Sequence, residues 1–236
     1  MTLELEKREI SRVFDQIAST YDRTNHILSF GIDKLWRKRL LRELPRKINT
    51  LLDLATGTGD QIFSIFDKYP KIGKAYGVDL SSHMLAIGKD KLKKKKYEQK
   101  VSFIEEDAQN LSLEDESVDC VTISFGMRNM PDPTKCLDEM WRVLKPGGKA
   151  LILEFSLPKS APIRRAHLFY LRNILPKIGR LVSKHHRAYT YLNETIEAFP
   201  YGEAFCSLLK KSKFDSILSF PLTFGIATLY SAKKGS

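Results

Sequence analysis

The chain has 236 residues, 42% of them hydrophobic, which suits one α/β domain with a modest appendage and a substantial core. Its net charge of +11 favours anionic partners, whether nucleic acid, acidic lipid headgroups or an anionic small molecule. No apolar run approaches the roughly 20 residues of a membrane span, the first ten residues lack the apolar stretch of a secretory signal, and Cys120, Cys136 and Cys206 have no zinc-ligand spacing. The expected location is the cytoplasm, and the cysteines read as small apolar residues.

In chain order, Ile10, Val13, Phe14 and Ile17 recur at helical spacing, a loop follows over 21–31, and Leu35, Trp36, Leu40 and Leu41 mark a second helix closed by Pro45. From Thr50 the pattern becomes strand–helix alternation. Strands are predicted at 50–55, 74–80, 101–106, 118–125 and 148–155, and helices at 61–69, from a Ser81 cap to about 95, and at 134–144. This alternation predicts a mostly parallel, doubly wound sheet with helices on both faces. Beyond it, 162–176 reads as a helix, 177–200 as irregular, aromatic and basic, 201–212 as a helix, and 214–220 and 226–232 as closing antiparallel strands. The organisation expected is a helical cap over 1–45, a core over 50–156, an insertion over 157–200 that covers a ligand site, and a closing helix and strands over 201–236. The lysine run Lys89, Lys91 and Lys93 to Lys96 reads as a solvated helix end.

A strand ending in Asp53 runs into Gly57-Thr58-Gly59 and then a helix. Glycines there let the backbone approach a ligand closely. Asp79 ends the next strand, where a carboxylate can accept both hydrogen bonds of a ribose diol. A nicotinamide oxidoreductase expects a third glycine where Ile62 stands, and Asp60 at the helix start would repel a pyrophosphate. S-adenosylmethionine carries no phosphate and bears a cationic ammonium and sulfonium, so Asp53 and Asp60 suit it. Asp107-Ala108 after the third strand faces the adenine amine, and Ser124-Phe125 ends the fourth strand at the same crevice.

Longer motifs add a resemblance. Phe14-Asp15-x-Ile17-Ala18-x-x-Tyr21-Asp22-x-x-Asn25-x-x-Leu28-Ser29-x-Gly31 with Trp36-Arg37, Ile123-Ser124-Phe125-Gly126-Met127-Arg128-Asn129, Arg142-Val143-Leu144-Lys145-Pro146-Gly147-Gly148, and Leu175-Pro176-Lys177-Ile178-Gly179 with Tyr189-x-Tyr191-Leu192 and Phe199-Pro200 resemble the ubiquinone/menaquinone C-methyltransferases, which include demethylmenaquinone methyltransferase. The resemblance spans nearly the whole chain. Three positions depart from the family pattern: Thr24 for methionine, Asp33 for histidine and Thr56 for glycine.

The resemblance implies a class I S-adenosylmethionine-dependent methyltransferase fold, a Rossmann-like seven-stranded sheet with N-terminal helices and a helical insertion after strand 5. It implies methylation of a ring carbon of a reduced polyprenyl quinone, demethylmenaquinol first and 2-methoxy-6-polyprenyl-1,4-benzoquinol as the alternative. Carried over by motif, Thr58, Asp79, Asp107, Ala108 and Ser124 join Asp53, Gly57 and Gly59 at the cofactor, while Tyr21, Asn25, Arg128 and Asn129 face the substrate. Arg128 is the expected stabiliser of phenolate charge, since guanidinium stays protonated, and Tyr21 or a water the proton relay. No metal is expected, and His167, His185 and His186 are given no role. The insertion's Ile163, Phe169, Tyr170, Leu171, Ile174 and Leu175, flanked by Arg164, Arg165, Arg172, Lys177, Arg180, Lys184 and Arg187, predict contact with an anionic membrane surface. The rival of another class is a nucleic-acid-binding protein or RNA methyltransferase, supported by charge alone and by no visible RNA-binding module.

Overall fold

Strands that are apolar on both faces need helices on both faces, and this requirement organises the molecule. The computed structural model describes residues 15, 29, 31–177 and 186–235, with side chains of the last stretch from 192 onward. The order is α1 (Ile32–Leu40), β1 (Thr50–Leu54), α2 (Asp60–Lys68), β2 (Lys74–Asp79), α3 (Ser82–Leu92), β3 (Val101–Glu105), β4 (Val118–Ser124), α4 (Pro133–Val143), β5 (Leu144–Phe155), α5 (Ala161–Phe169), α6 (His186–Ala198), α7 (Glu203–Lys211), β6 (Phe214–Leu222) and β7 (Ala227–Lys234). They build one seven-stranded sheet in the order β3-β2-β1-β4-β5-β7-β6. The first five strands run parallel, and β7 is antiparallel to both β5 and β6. This is the class I methyltransferase architecture that the resemblance implied. The order reverses at β1 and β4, so a crevice opens beyond their carboxyl ends.

β1 is buried along its whole length, and its residues alternate between two cores. Leu52 and Leu54 join Val121, Ile123, Met140, Phe205 and Tyr230 on one face. Leu51 joins Phe66, Cys120, Leu151 and Leu229 on the other. All three cysteines are buried as free thiols, and burial pushes their pKa values up. Ser81 caps α3 as predicted, its Oγ accepting from the Met84 N–H at 3.1 Å. Asp132 caps α4, with Pro133 in the first turn.

Several expectations are corrected. β5 begins at Leu144, so Lys145-Pro146-Gly147-Gly148 lies inside the strand as an irregularity. Val118 pairs with Leu144, the register then breaks, and Cys120 pairs with Lys149, with Gly147 at φ 74° absorbing the extra residues. α3 ends at Leu92 rather than near 95, with Lys89 and Lys91 in its last turn and Lys93 to Lys96 beyond it. The segment expected to be irregular contains α6, because Leu192 and Ile196, four residues apart, turn one face toward Leu171 and Leu175. On α1, Trp36 and Leu40 are buried as expected, but Leu35 is 62% exposed. Asp33 is buried and accepts from Ser29 Oγ at 2.7 Å, so the departure at this position acts at the start of α1. The helix expected around Ile10 to Ile17, apart from Asp15, and the loop carrying Tyr21 and Asn25 lie outside the described residues. Among the described residues, no helix is long and apolar enough to cross a membrane.

The end of the insertion is tied to the sheet by one hydroxyl. Tyr230 on β7 is fully buried, and its oxygen accepts from the Gly202 N–H at 2.7 Å. Gly202 adopts φ 61° and ψ −129°, a conformation open essentially only to glycine. Replacing Tyr230 with Phe leaves that N–H unpaired and should lower stability by about 1–3 kcal/mol. Urea unfolding measures this as a lower midpoint at unchanged slope, and an unmoved midpoint contradicts it.

Candidate active site

The site is built where the chain leaves β1. Ala55 (φ 46°), Gly57 (φ 56°) and Gly59 (φ 84°) are left-handed, which folds the loop back over the strand ends. Gly59 N–H donates to Thr56 O at 2.9 Å, and α2 begins at the next residue. A Cβ at Gly59 would come within 2.7 Å of the Phe103 ring and 2.9 Å of the Phe63 ring. Gly59 therefore allows close helix–sheet packing. A Cβ at Gly57 would meet nothing within 4 Å, so the positive φ is what favours glycine there.

Two carboxylates hold this loop from behind. Asp53 is buried and accepts from the hydroxyls of Thr56 and Thr122. Burial outweighs these hydrogen bonds and pushes its pKa up to about 6. Asp79 accepts from Gly57 N–H at 2.8 Å through one oxygen and from Ser81 N–H at 2.9 Å through the other. Burial raises its pKa as well.

Beyond the loop lies a cleft of about 970 Å³, its open mouth included. Asp53, Gly57, Thr58, Asp79, Ala108, Ser124 and Asn129 line it, bringing together residues far apart in sequence. Gly59, Asp107 and Arg128 are not part of the lining, and Tyr21 and Asn25 lie outside the described residues. Asp107 Oδ1 accepts from the Gln109 N–H at 2.9 Å and from its side-chain amide at 3.2 Å, an arrangement that braces a turn. Arg128 is 5% exposed and pairs with the fully buried Glu154 at 2.9 Å. Its guanidinium also donates to the Phe125 carbonyl and lies 5.2 Å from the centre of the Phe155 ring. Its charge is thus already matched by a buried carboxylate, whereas the sequence assigns this guanidinium the role of stabilising a phenolate.

Sequence reasoning missed other lining residues, chiefly Arg37, Gln61 and Glu106. Arg37 stood in a quoted motif without a role. It turns toward the cleft because Trp36, its neighbour on α1, is buried against Phe125 and Phe155 at 5.9 and 6.0 Å between ring centres. Four buried polar atoms of the lining have no hydrogen-bond partner among the described residues: Arg37 Nε, Gln61 Nε2, Glu106 Oε2 and Asn129 Oδ1. Buried polar atoms are nearly always satisfied, so four in one cleft indicate a ligand that satisfies them. The two donors are neighbours, since Arg37 Nη1 donates to Gln61 Oε1 at 3.3 Å, and together they suit a carboxylate. The two acceptors suit amines or hydroxyls. A zwitterionic nucleoside such as S-adenosylmethionine fits this donor set. Asp60, expected to add negative charge for the ligand, is instead paired with Lys91 at 2.9 Å, and the same ammonium donates to Thr58 Oγ1 at 2.8 Å. Asp15, at the start of the first quoted motif, accepts from Ser81 Oγ and so sits at the rim. Among the described residues, no cluster of three or more His, Cys, Asp or Glu could hold a metal ion.

A family model described as ubiE/COQ5 methyltransferase family matches residues 1–234. The chain belongs to the ubiE/COQ5 methyltransferase family. Similar members of that family include the demethylmenaquinone methyltransferase of Bacteroides fragilis, 40% identical over 96% of this chain and 92% of the relative. The ubiquinone/menaquinone biosynthesis C-methyltransferase UbiE of Geotalea daltonii is 38% identical over 96% of each chain's length. Among solved structures, a S-adenosylmethionine-dependent methyltransferase from Thermotoga maritima, titled a possible histamine N-methyltransferase, superposes with a TM-score of 0.63 at 19% identity, covering 95% of this chain and 99% of that one. That likeness speaks to the fold alone.

The raised pKa of Asp53 has a definite sign. Between about pH 4 and 6 the folded state keeps a proton that the unfolded state releases, so this group makes stability fall as pH rises through that window and level off above it. Asp53→Asn removes the term. The stability of wild type relative to the variant should therefore drop by on the order of 2–3 kcal/mol between pH 4 and pH 7. Unfolding at both pH values measures it, and a constant difference contradicts the assignment.

Proposed function

We propose that this methyltransferase places the methyl group of S-adenosylmethionine on a ring carbon of a reduced polyprenyl quinone, with demethylmenaquinol as the acceptor. The observation that carries the assignment is the cleft's set of unpartnered donors and acceptors in a chain about 40% identical to demethylmenaquinone methyltransferases. Arg37 and Gln61 take the cofactor's carboxylate. Asp53 and the neighbouring loop favour its ammonium by their negative field. Asp79 meets the ribose diol while continuing to hold Gly57. The adenine amine meets the turn after β3, where Glu106 Oε2 is the unpartnered acceptor and Asp107 braces the backbone.

On the acceptor side, Phe125, Met130 and Pro131 form an apolar wall for a flat ring, and Asn129 Oδ1 accepts from a ring hydroxyl. Bound S-adenosylmethionine supplies an electrophilic methyl group. The ring carbon becomes a nucleophile as a hydroxyl gives up its proton, and an unperturbed phenol has a pKa of about 10. Asn129 Oδ1 orients the hydroxyl, but an acceptor on the neutral phenol and a dry wall both oppose its ionisation. The proton therefore passes to a base, with Tyr21 or a water as the relay that its motif implies, and the ring carbon afterwards loses its own proton by the same route. Arg128, locked to Glu154, acts as a positioning residue for the Phe125–Phe155 wall, whose ring centres lie 4.6 Å apart. Tyr21 and Asn25 keep the substrate-side role that their motif implies.

Incubation with methyl-labelled S-adenosylmethionine and each reduced quinone precursor tests the assignment. Label should enter the naphthoquinol ring, and label in neither ring overturns it. Label in the benzoquinol would assign the branch that the Geotalea relative's name also covers. Arg37→Met removes a charged donor and should raise KM for S-adenosylmethionine by about tenfold or more, with a smaller change in kcat. Steady-state kinetics in both substrates separates the two constants, and an unchanged KM removes Arg37 from the carboxylate site.

A further inference from the structure

We propose that the protein docks on a bilayer with acidic headgroups through the outer face of α1 and the turn between β6 and β7. The proposal rests on the reading of the acceptor as a polyprenyl quinol, whose tail stays in lipid. It adds a second face to the contact expected of the insertion, where Leu171 and Leu175 are packed into a small core while Phe169 and Ile174 stay exposed.

The turn is the first observation. Thr223, Phe224 and Gly225 are left-handed in succession, with φ values of 45°, 58° and 91°. Phe224 at its centre is 78% exposed. A bulky residue in that region is strained, and here no burial offsets the strain. Folding alone gives no reason for an aromatic at this tip.

The turn is held against α1, where Trp36 Nε1 donates to Thr223 Oγ1 at 2.8 Å. The exposed Leu35 adjoins Trp36, and the exposed Phe224 adjoins Thr223, so one hydrogen bond ties together the two segments that carry them. Lys34 and Lys38 share the exposed face of α1 with Leu35. These two lysines also line a groove with Lys91, Lys93, Lys94 and Lys95. Lys91, Lys93 and Lys95 have carboxylate partners, whereas Lys34, Lys38 and Lys94 have no ion pair among the described residues. Apolar tips beside unneutralised lysines match the acyl boundary and the phosphates of an anionic leaflet. A nucleic acid would use the lysines but not Leu35.

The position suits the chemistry. Phe155 pairs with Ala227, which places the turn beyond the carboxyl end of β5, at the same end of the sheet as the cleft. Arg37 lines both the cleft and the lysine groove. Trp36 separates the docking face from Phe125 in the cleft wall by a single aromatic layer. A ring can then enter the cleft while its tail remains in the bilayer.

Sedimentation with phosphatidylcholine vesicles, and with phosphatidylcholine–phosphatidylglycerol vesicles at equal lipid, tests the proposal. Wild type should bind the acidic vesicles and lose binding as salt rises. Phe224→Asn should weaken that binding about tenfold without lowering Tm, because asparagine tolerates left-handed backbone; a purely structural role for Phe224 predicts a lower Tm instead. Leu35→Ser provides a second apolar test on an exposed helix surface. Lys34→Ser with Lys38→Ser should weaken binding to acidic vesicles by about fivefold per lysine. All variants should turn over a short-chain soluble quinol at the wild-type rate and lose activity on polyprenyl quinol in vesicles. Equal vesicle binding by wild type and variants overturns the proposal. So does a salt-sensitive RNA complex, or a dimer in light scattering, that these variants abolish while wild type fails to bind vesicles. Wild type that binds vesicles but leaves the soluble quinol unmethylated counts against the acceptor, not the docking face.

Discussion

The site depends on two carboxylates that hold backbone and hydroxyl groups rather than countercharges. Asp53 is fixed by Thr56 and Thr122, and Asp79 by the N–H groups of Gly57 and Ser81. Each lies at the end of a buried strand, where ionisation is costly. That cost is visible in the raised pKa of both groups. In exchange, the loop between β1 and α2 is held by contacts within the protein itself. Contacts of this kind reduce the ordering that binding has to supply.

The same logic extends around the cleft. Lys91 ties Thr58 to Asp60, so the loop is braced from α3 as well as from the strands. Glu154 holds Arg128 by its side chain and by its backbone N–H at 3.1 Å, which fixes the short helix that carries Asn129. Arg142, from the Arg-Val-Leu-Lys-Pro-Gly-Gly motif, donates to the carbonyls of Leu111 and Leu113 and pairs with Glu139 and Asp115. That motif therefore secures the chain between β3 and β4. Ion pairs are spent on the scaffold, while the cleft keeps the unpartnered polar atoms of Arg37, Gln61, Glu106 and Asn129 for its ligands.

Local chemistry made much of this legible in the sequence. The strand–helix alternation, the Ser81 cap, the glycine loop and the closing antiparallel pair follow from patterns within a few residues. Long-range pairing was not legible. Nothing near Arg128 announces Glu154, which lies in the next strand of the sheet, so the chain alone does not show which carboxylate its guanidinium meets. Leu35 reads as core because it fits the helical period of Trp36 and Leu40, yet α1 buries only a narrow stripe. Conversely, α6 was hidden by aromatic and basic residues that mask the spacing of Leu192 and Ile196. Arg37 and Glu106 were overlooked because a role in a cleft belongs to the assembled surface, not to a motif.

The buried thiols carry a last consequence. Cys120 lies in β4 at the centre of the sheet, and Cys136 sits on the buried face of α4. Raised pKa values keep these thiols protonated at neutral pH, and packing keeps reagents away. Neither is poised for disulfide exchange or peroxide attack while the sheet is closed. Their rate of alkylation is therefore a clock for opening of the core itself, blind to motions of the loops around the cleft.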